Sequence, residues 1–290
     1  MSEYIVVTDS CSDLTPELID EYQLPVYPME FVLDGKNYKN YPDEREIELN
    51  TFYKLLKDGH SGTTAQISPS NFIDFFTPYL EDGLDILYIA FSSALSGTYN
   101  SSLVAKDVLL EKYPNRKIIC IDSLSASTAQ GKLAICACEN LRKGLSIEEN
   151  ELNIRNILPR LAVWFTVDDL NCLKRGGRLS STAAFFGTLL GIKPVLHVSS
   201  EGKLVPMQKC RGRKASLNAL FEHLKEDIID PNNDIVYISH AVASDDALAM
   251  GKRIQNELGI KNIIYSNVGP VIGMHSGPGT FLVSYFGKKR

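Results

Sequence analysis

The chain has 290 residues, 44% of them hydrophobic and 22% charged, with a formal net charge of −5. That length and composition fit a soluble globular protein of one large domain or two ordinary ones. The acidic balance speaks against a general nucleic-acid binder, which needs a basic face, and no apolar run approaches the roughly twenty residues of a membrane span.

Tyr4–Thr8 (YIVVT) is a β-branched run that reads as a buried strand, ending at Asp9-Ser10-Cys11-Ser12-Asp13. A helix starts near Thr15-Pro16-Glu17, with proline in its first turn. Val26–Val32 reads as one strand, and the turn Asp34-Gly35 lets Lys36–Tyr38 pair back as a hairpin. Ile47–Lys57 repeats apolar residues at helical spacing. Gly62–Ser70 (GTTAQISPS) is a loop whose Ser70 is placed to cap a helix over Asn71–Leu80.

Ile86–Phe91 has the length of a buried strand and runs into Ser92, Ser93, Ser96, Gly97, Thr98, Ser101 and Ser102. The helix that follows is expected to bury Val104, Ala105, Val108 and Leu109 on one face. Lys117–Ile121 is the next strand, Asp122–Thr128 an acidic and hydroxyl-rich loop, and Gly131–Arg142 a helix. Strands alternating with helices indicate a parallel α/β sheet, which places ligands at the carboxyl ends of its strands. Asp9, Ser93 and Asp122 each follow a strand, so their loops can meet on one edge.

Ile147–Leu161 is helical and Val163–Val167 a strand, and the domain boundary is placed between them, near residue 160. Residues 1–160 then form a parallel-sheet α/β domain and 161–290 a mixed α+β lobe. In the second lobe Gly176-Gly177 breaks the chain, and Ser180–Leu190 is a small-residue, apolar helix. Ile192–Val198 and Leu204–Lys209 are strands joined as a hairpin by Ser199–Lys203. Helices over Ala215–Leu224 and Ala243–Leu258 alternate with strands at Asp234–His240 and Asn262–Ser266, and a last strand covers Phe281–Tyr285.

Residues 86–102 make a potential anion cradle. The N–H groups at a helix start lack partners, and serine and threonine hydroxyls add donors without charge. An N-cap with extra serines is the plainer reading of the same residues. Thr63 and Thr64 in one loop, with Ser96, Gly97 and Thr98 in another, suit a buried carboxylate or phosphate, which is costly to bury unless hydrogen-bonded. His275, in GMHSGPGT, reads as a glycine-loop histidine able to hydrogen-bond such a group. A serine hydrolase using Ser96 and His275 is the alternative, although no GxSxG elbow and no orienting acid can be identified. Arg178, in GGRLS, either belongs to a phosphate-binding turn or caps helix carbonyls; Walker spacing is missing. Lys209–Lys214 is the densest basic run and suits a phosphate, an acidic surface or solvent. The six cysteines are scattered, and the opening residues lack the pattern of an export signal, so reduced thiols and a cytoplasmic location are expected. No metal-ligand spacing is present and no cofactor is expected.

The TDS at Thr8–Ser10, GTTAQISPS, the Ser92–Thr98 loop, KRGGRLSS and GPVIGMHSGPGT together resemble the DegV family, in the family's order and over nearly the whole chain. The resemblance implies a bacterial fatty-acid-binding protein with an acyl tunnel near the interface of two lobes. It implies that the chain is not itself an enzyme. It presents a long-chain fatty acid, palmitate-like in kind, to the catalytic subunit of a fatty acid kinase, with transient membrane contact and no nucleic acid. On this reading Thr63 or Thr64 and Ser96, with Ser93 as a second candidate, hold the carboxylate. His275 lies at the headgroup, Arg178 links the lobes nearby, and Arg211 and Arg213 dock the kinase. The helix at 180–190 serves as tunnel wall or as ordinary core. A sugar-phosphate or nucleotide binder is a further, weaker reading, lacking a Rossmann fingerprint or P-loop. The chain departs from the family where Thr-Ser-Gln-Pro-Ser is common and Thr64-Ala65-Gln66-Ile67-Ser68 stands here. One hydroxyl and a φ-restricting proline are lost, so a looser loop or a different acyl preference is expected.

Overall fold

The computed structural model describes residues 3–179 and 191–290; the helix expected over 180–190 lies outside the described residues. The chain opens with β1 (Tyr4–Asp9) and α1 (Pro16–Tyr22), whose cap Thr15 accepts from the Leu18 N–H. Val26–Val32 is two strands rather than one. β2 (Val26–Tyr27) lies beside β1, and after Pro28 the chain leaves that sheet to form β3 (Glu30–Leu33) in another. Proline has no N–H to continue a ladder. β4 (Lys36–Lys39) folds back on β3, α2 (Leu49–Lys57) follows, and β5 (Gly62–Thr64) turns part of the expected loop into a strand against β3. The next helix, α3 (Pro69–Glu81), starts earlier than expected. Ser68, not Ser70, is its cap, accepting from the Asn71 N–H at 3.1 Å, because Pro69 fits the first helical position.

β6 (Asp85–Ala90), α4 (Thr98–Lys112), β7 (Ile118–Asp122), α5 (Thr128–Arg142) and α6 (Ile147–Ile157) complete the first half. The second half runs β8 (Leu161–Thr166), α7 (Leu170–Arg175), β9 (Ile192–Val198), β10 (Leu204–Arg211), α8 (Arg213–Asp227), β11 (Val236–His240), α9 (Ser244–Leu258), β12 (Ile263–Asn267), α10 (Pro270–Ser276) and β13 (Phe281–Phe286).

The first sheet has the order β2-β1-β6-β7 and is parallel throughout. β6 is buried at every residue, as a strand covered on both faces must be. α3 and α4 pack together on β6 and β7, while α5 and α6 pack together on β1, β6 and β7. α4 buries Ser101, Ser102, Ala105 and Leu109; Val104 and Val108, expected beside them, are exposed. The inward stripe follows i, i+3 and i+4 steps, and the two valines sit one residue off it. A second, antiparallel sheet has the order β4-β3-β5. The third, β10-β9-β8-β13-β11-β12, is antiparallel except for β11 and β12, and draws every strand from Leu161 onward.

α5 lies between the first and third sheets, touching β1 and β6 on one side and β8, β11 and β13 on the other. Residues Thr128 to Ile135 are accordingly all buried. Lys132, on this helix, sets its ammonium 2.5 Å from Asp234 and 2.7 Å from the Ile235 carbonyl, a buried ion pair across the layers. One apolar core runs from the first sheet to the inner face of the third. A smaller core lies outside the third sheet, under α8 and α9.

Candidate functional site

A cavity of about 330 Å³ lies across the carboxyl ends of the first sheet's strands, the edge where such sheets place ligands. Met29, Phe91 and Ala126 line it, each just beyond the end of a strand. The third sheet forms the opposite wall with Val163 and Phe165 of β8 and Leu282 of β13, and the β9–β10 hairpin adds Val198 and Leu204. Strand alternation puts Val163 and Phe165 on the cavity side. Trp164 between them stacks on His223 of α8 with ring centroids 3.5 Å apart.

Most of the lining is apolar. Among its hydroxyls, those of Ser127, Ser276 and Thr280 already donate within the protein, to Asp13 (2.5 Å), the Ile272 carbonyl (3.1 Å) and the Gly277 carbonyl (2.7 Å). The polar groups of Thr64, Gln66, Ser96, Arg178 and His275 gather where β5, the β6–α4 loop, α7 and α10 meet.

Two loops interlock to set these groups. Ser96 and Thr98 join hydroxyls at 2.9 Å, and the Ser96 oxygen also accepts from the Thr98 N–H. Thr98 in turn accepts from the Ile67 N–H at 3.3 Å, tying the β6–α4 loop to the β5–α3 loop. Ile67, where the family commonly has proline, is anchored in that loop. Its side chain is buried, and its N–H makes a bond that a proline could not. Gly97 permits the close approach: a Cβ there would fall 2.1 Å from the Gln66 Oε1. The strand-end acids fasten the same loop from behind. Asp9 accepts from the Tyr88 hydroxyl (2.6 Å) and the Phe91 N–H (3.2 Å), and Asp122 accepts from the Ser93 N–H (3.2 Å).

His275 is in the last turn of α10, not in a glycine loop; the helix continues to Ser276, and Gly277, at φ 79°, follows it. Its Nε2 lies 2.8 Å from the Thr64 hydroxyl, so the bond joins the two halves of the chain. Its ring lies against the backbone of Gly176, where a Cβ would meet Nδ1 at 2.3 Å. Burial, helped by the Arg178 charge, pushes His275 down to about 4, so the ring is neutral at pH 7. Arg178 donates to the Leu95 carbonyl at 3.1 Å and to the Gly176 carbonyl at 2.5 Å. It therefore both caps the turn after α7 and bridges to the first half.

The structure thus brings together Thr64, Ser96, Gly97, Arg178 and His275 around the cavity. Thr98 is buried behind Ser96 and sets its hydroxyl. Thr63 does not line this cavity; it lines an adjoining outer hollow that Thr64 also reaches. Ser93 is exposed, with its N–H on Asp122. Arg211 is exposed at the end of β10, while Arg213 is ion-paired with Asp246 at 2.8 Å and donates to the Gly279 carbonyl. Gln66 and Leu95 were absent from the expected site; Gln66 carried a signal through its place beside the threonines, whereas Leu95 enters through its carbonyl, which no side-chain pattern reveals. The nucleophile-to-base contact of a hydrolase is not made, since Ser96 bonds Thr98 and His275 bonds Thr64.

Fold and site together define an α/β protein with a largely apolar cavity between a parallel and a mixed sheet. The DegV family model matches residues 4–288, and the chain belongs to the DegV family. It is 39% identical over 287 residues to a DegV domain-containing protein of Clostridium perfringens, covering 99% of this chain and 98% of the relative. Among solved structures, it resembles a fatty-acid-binding DegV family protein from Thermus thermophilus, with 28% identity, a TM-score of 0.87 and coverage of 99% and 100% of the two chains. It likewise resembles DegV, a fatty acid binding protein from Bacillus subtilis, with 29% identity, a TM-score of 0.87 and coverage of 99% and 100%. Among the described residues no helix is long and apolar enough to cross a membrane.

Proposed function

We propose that the chain binds one long-chain fatty acid, with its tail in the cavity and its carboxylate among Thr64, Ser96 and His275. The observation that carries this reading is a largely apolar cavity whose available polar groups gather together, headed by the Thr64–His275 hydrogen bond. The fatty-acid binding of the Thermus and Bacillus neighbours supports it. A buried methylene contributes about 0.8 kcal/mol, so a tail of roughly sixteen carbons supplies on the order of 10 kcal/mol before ordering costs. The polar groups then orient the ligand more than they hold it. Thr98 acts by positioning Ser96, and Arg178 supplies a full positive charge beside the neutral histidine.

In this reading the protein, built as lobes 1–160 and 161–290, carries and presents its ligand without acting on it. A separate ATP-dependent kinase docks at the basic end of β10, using Arg211 and Arg213. A carboxylate oxygen forms a bond to the γ-phosphorus, the bond from that phosphorus to the β–γ bridging oxygen breaks, and ADP leaves. Loading and unloading take place in transient contact with a membrane surface.

Mass spectrometry of the native and the denatured protein tests the reading. An equimolar non-covalent adduct of fatty-acid mass is expected. No adduct in a folded preparation after incubation with palmitate would overturn it, and a covalent acyl adduct on Ser96 would put the hydrolase in its place.

A further inference from the structure

A hollow of about 400 Å³ lies between the turn after β1 and the starts of α1, α2 and α10, and shares no lining residue with the acyl cavity. Carboxyl groups of Asp13, Glu17, Asp43, Glu44 and Glu46 line it, against the one ammonium of Lys39. Part of this acidity is already used: Asp43 pairs with Arg45, and Glu44 and Glu46 accept from the N–H groups of Leu49 and Lys39. The floor is different. Asp13 and Asn40 are 7% and 4% exposed, whereas Glu17 and Glu46 at the mouth are exposed. Asp13 accepts from the Ser127 hydroxyl at 2.5 Å and the Gly269 N–H at 2.9 Å, both neutral donors. Among the described residues it has no cationic partner, while the buried Asp234 and Asp85 face Lys132 and Arg116. The Asn40 Nδ2 donates to the Ser10 carbonyl at 3.4 Å, and its Oδ1 accepts no hydrogen bond among the described residues. A Cβ on Gly269 would meet Asp13 Oδ1 at 2.8 Å and Asn40 Oδ1 at 3.2 Å, so both oxygens converge over this glycine.

A buried acceptor without a donor costs free energy, and a buried carboxylate without a counter-charge costs more. An ammonium group supplies what both oxygens lack: three N–H donors, no acceptor and a positive charge. Above the floor, Leu14 and Ile47 line the hollow and suit a short methylene chain. Glu17 and Glu46 at the mouth suit a second ammonium. We propose that this hollow binds an aliphatic diamine, with the inner ammonium on Asp13 and Asn40 and the outer one near Glu17. The site does not depend on the fatty-acid reading above.

Calorimetry of the full chain at low ionic strength tests the site with three probes: 1,4-diaminobutane, n-butylamine and magnesium chloride. The diamine is expected to bind at one site, and n-butylamine more weakly at the same place. Asp13→Asn keeps the shape of the side chain and removes its charge, and should weaken both amines about tenfold, as loss of a charge-assisted bond does. Asn40→Leu should weaken both severalfold without loss of thermal stability, since it removes an unpaired buried oxygen. Glu17→Gln should weaken the diamine about threefold, as an exposed ion pair does, and leave n-butylamine unchanged. Where Asp13→Asn lowers the unfolding temperature, Asn40→Leu and Glu17→Gln decide the assignment. No binding of the diamine to the wild type, or equal affinity in wild type and Asn40→Leu, would overturn the site. Equal weakening of both amines by Glu17→Gln would overturn the outer ammonium position and with it the diamine. Magnesium bound as tightly as the diamine, and lost in the same variants, would assign the hollow to a metal ion and overturn the amine.

Discussion

Replacing Thr64 with valine tests how the headgroup is held. Valine keeps the shape of the side chain and removes only the hydroxyl that lies 2.8 Å from His275 Nε2. A hydrogen bond to a charged group contributes about 1.5–3 kcal/mol, and a neutral one about 1 kcal/mol. Thr64→Val should therefore weaken palmitate roughly ten- to a hundredfold, but hexadecanol only about fivefold. The tail term is common to both ligands and cancels. Displacement titrations of both ligands in both proteins, with thermal unfolding as a control, read the effect as a reduced preference for acid over alcohol. Equal weakening of acid and alcohol, or no weakening, would refute the assignment of Thr64 to the carboxylate. A double-mutant cycle with His275→Gln extends the test. Residues that act as a unit show a coupling of about 0.5–3 kcal/mol, and additive losses would mean that the two side chains act separately.

Gly176→Ala should displace the His275 ring, because the new Cβ would lie 2.3 Å from Nδ1; palmitate affinity is expected to fall about tenfold, near the loss of one such bond, and unchanged affinity would contradict the packing argument. Lys132→Met leaves Asp234 buried without its cation and should cost about 3–5 kcal/mol in denaturant unfolding, with Lys132→Met/Asp234→Leu recovering part of the loss. The pH dependence of stability separates two buried groups. His275 is held near 4 against about 6.5 in an unfolded chain, so only the unfolded state gains a proton between these values, and up to about 3 kcal/mol is lost as pH falls from 6.5 to 4. Asp13 is raised by burial to about 7, so the folded chain retains a proton that the unfolded chain releases, and stability falls as pH rises from about 4 to 7. His275→Gln and Asp13→Asn should change the slope of stability against pH in opposite directions, and a change of the same sign in both would refute the assignment.

The parallel sheet was legible because β6 is an unbroken apolar run and because strands and helices alternate around it. The β9–β10 hairpin was legible from its turn. Val26–Val32 misled because a single proline reassigns the second part of the run to another sheet, which a strand pattern does not encode. The stripe on α4 misled because valines look more buried than serines, whereas the face packed on α3 and β7 carries Ser101, Ser102, Ala105 and Leu109. Thr64, Ser96 and His275 could be picked out by residue type and by family resemblance. The resemblance placed them at one headgroup; residue spacing alone could not, since Thr64 and His275 are 211 positions apart. Thr63 and Thr64 could not be told apart by type; only Thr64 lines the acyl cavity.

The position of α5 between two sheets sets how a ligand gets in and out. Swinging the sheets apart would uncover the face of α5 that packs on the third sheet, along two turns that are buried at every residue. It would also break the buried Lys132–Asp234 ion pair that ties α5 to the third sheet. A clamshell motion is therefore a slow route for traffic. On the reading proposed above, a local route is expected to be faster: the Thr64–His275 bond parts and the interlocked loops yield while α5 stays in place, so the residence time of a bound fatty acid is set by a latch of a few hydrogen bonds.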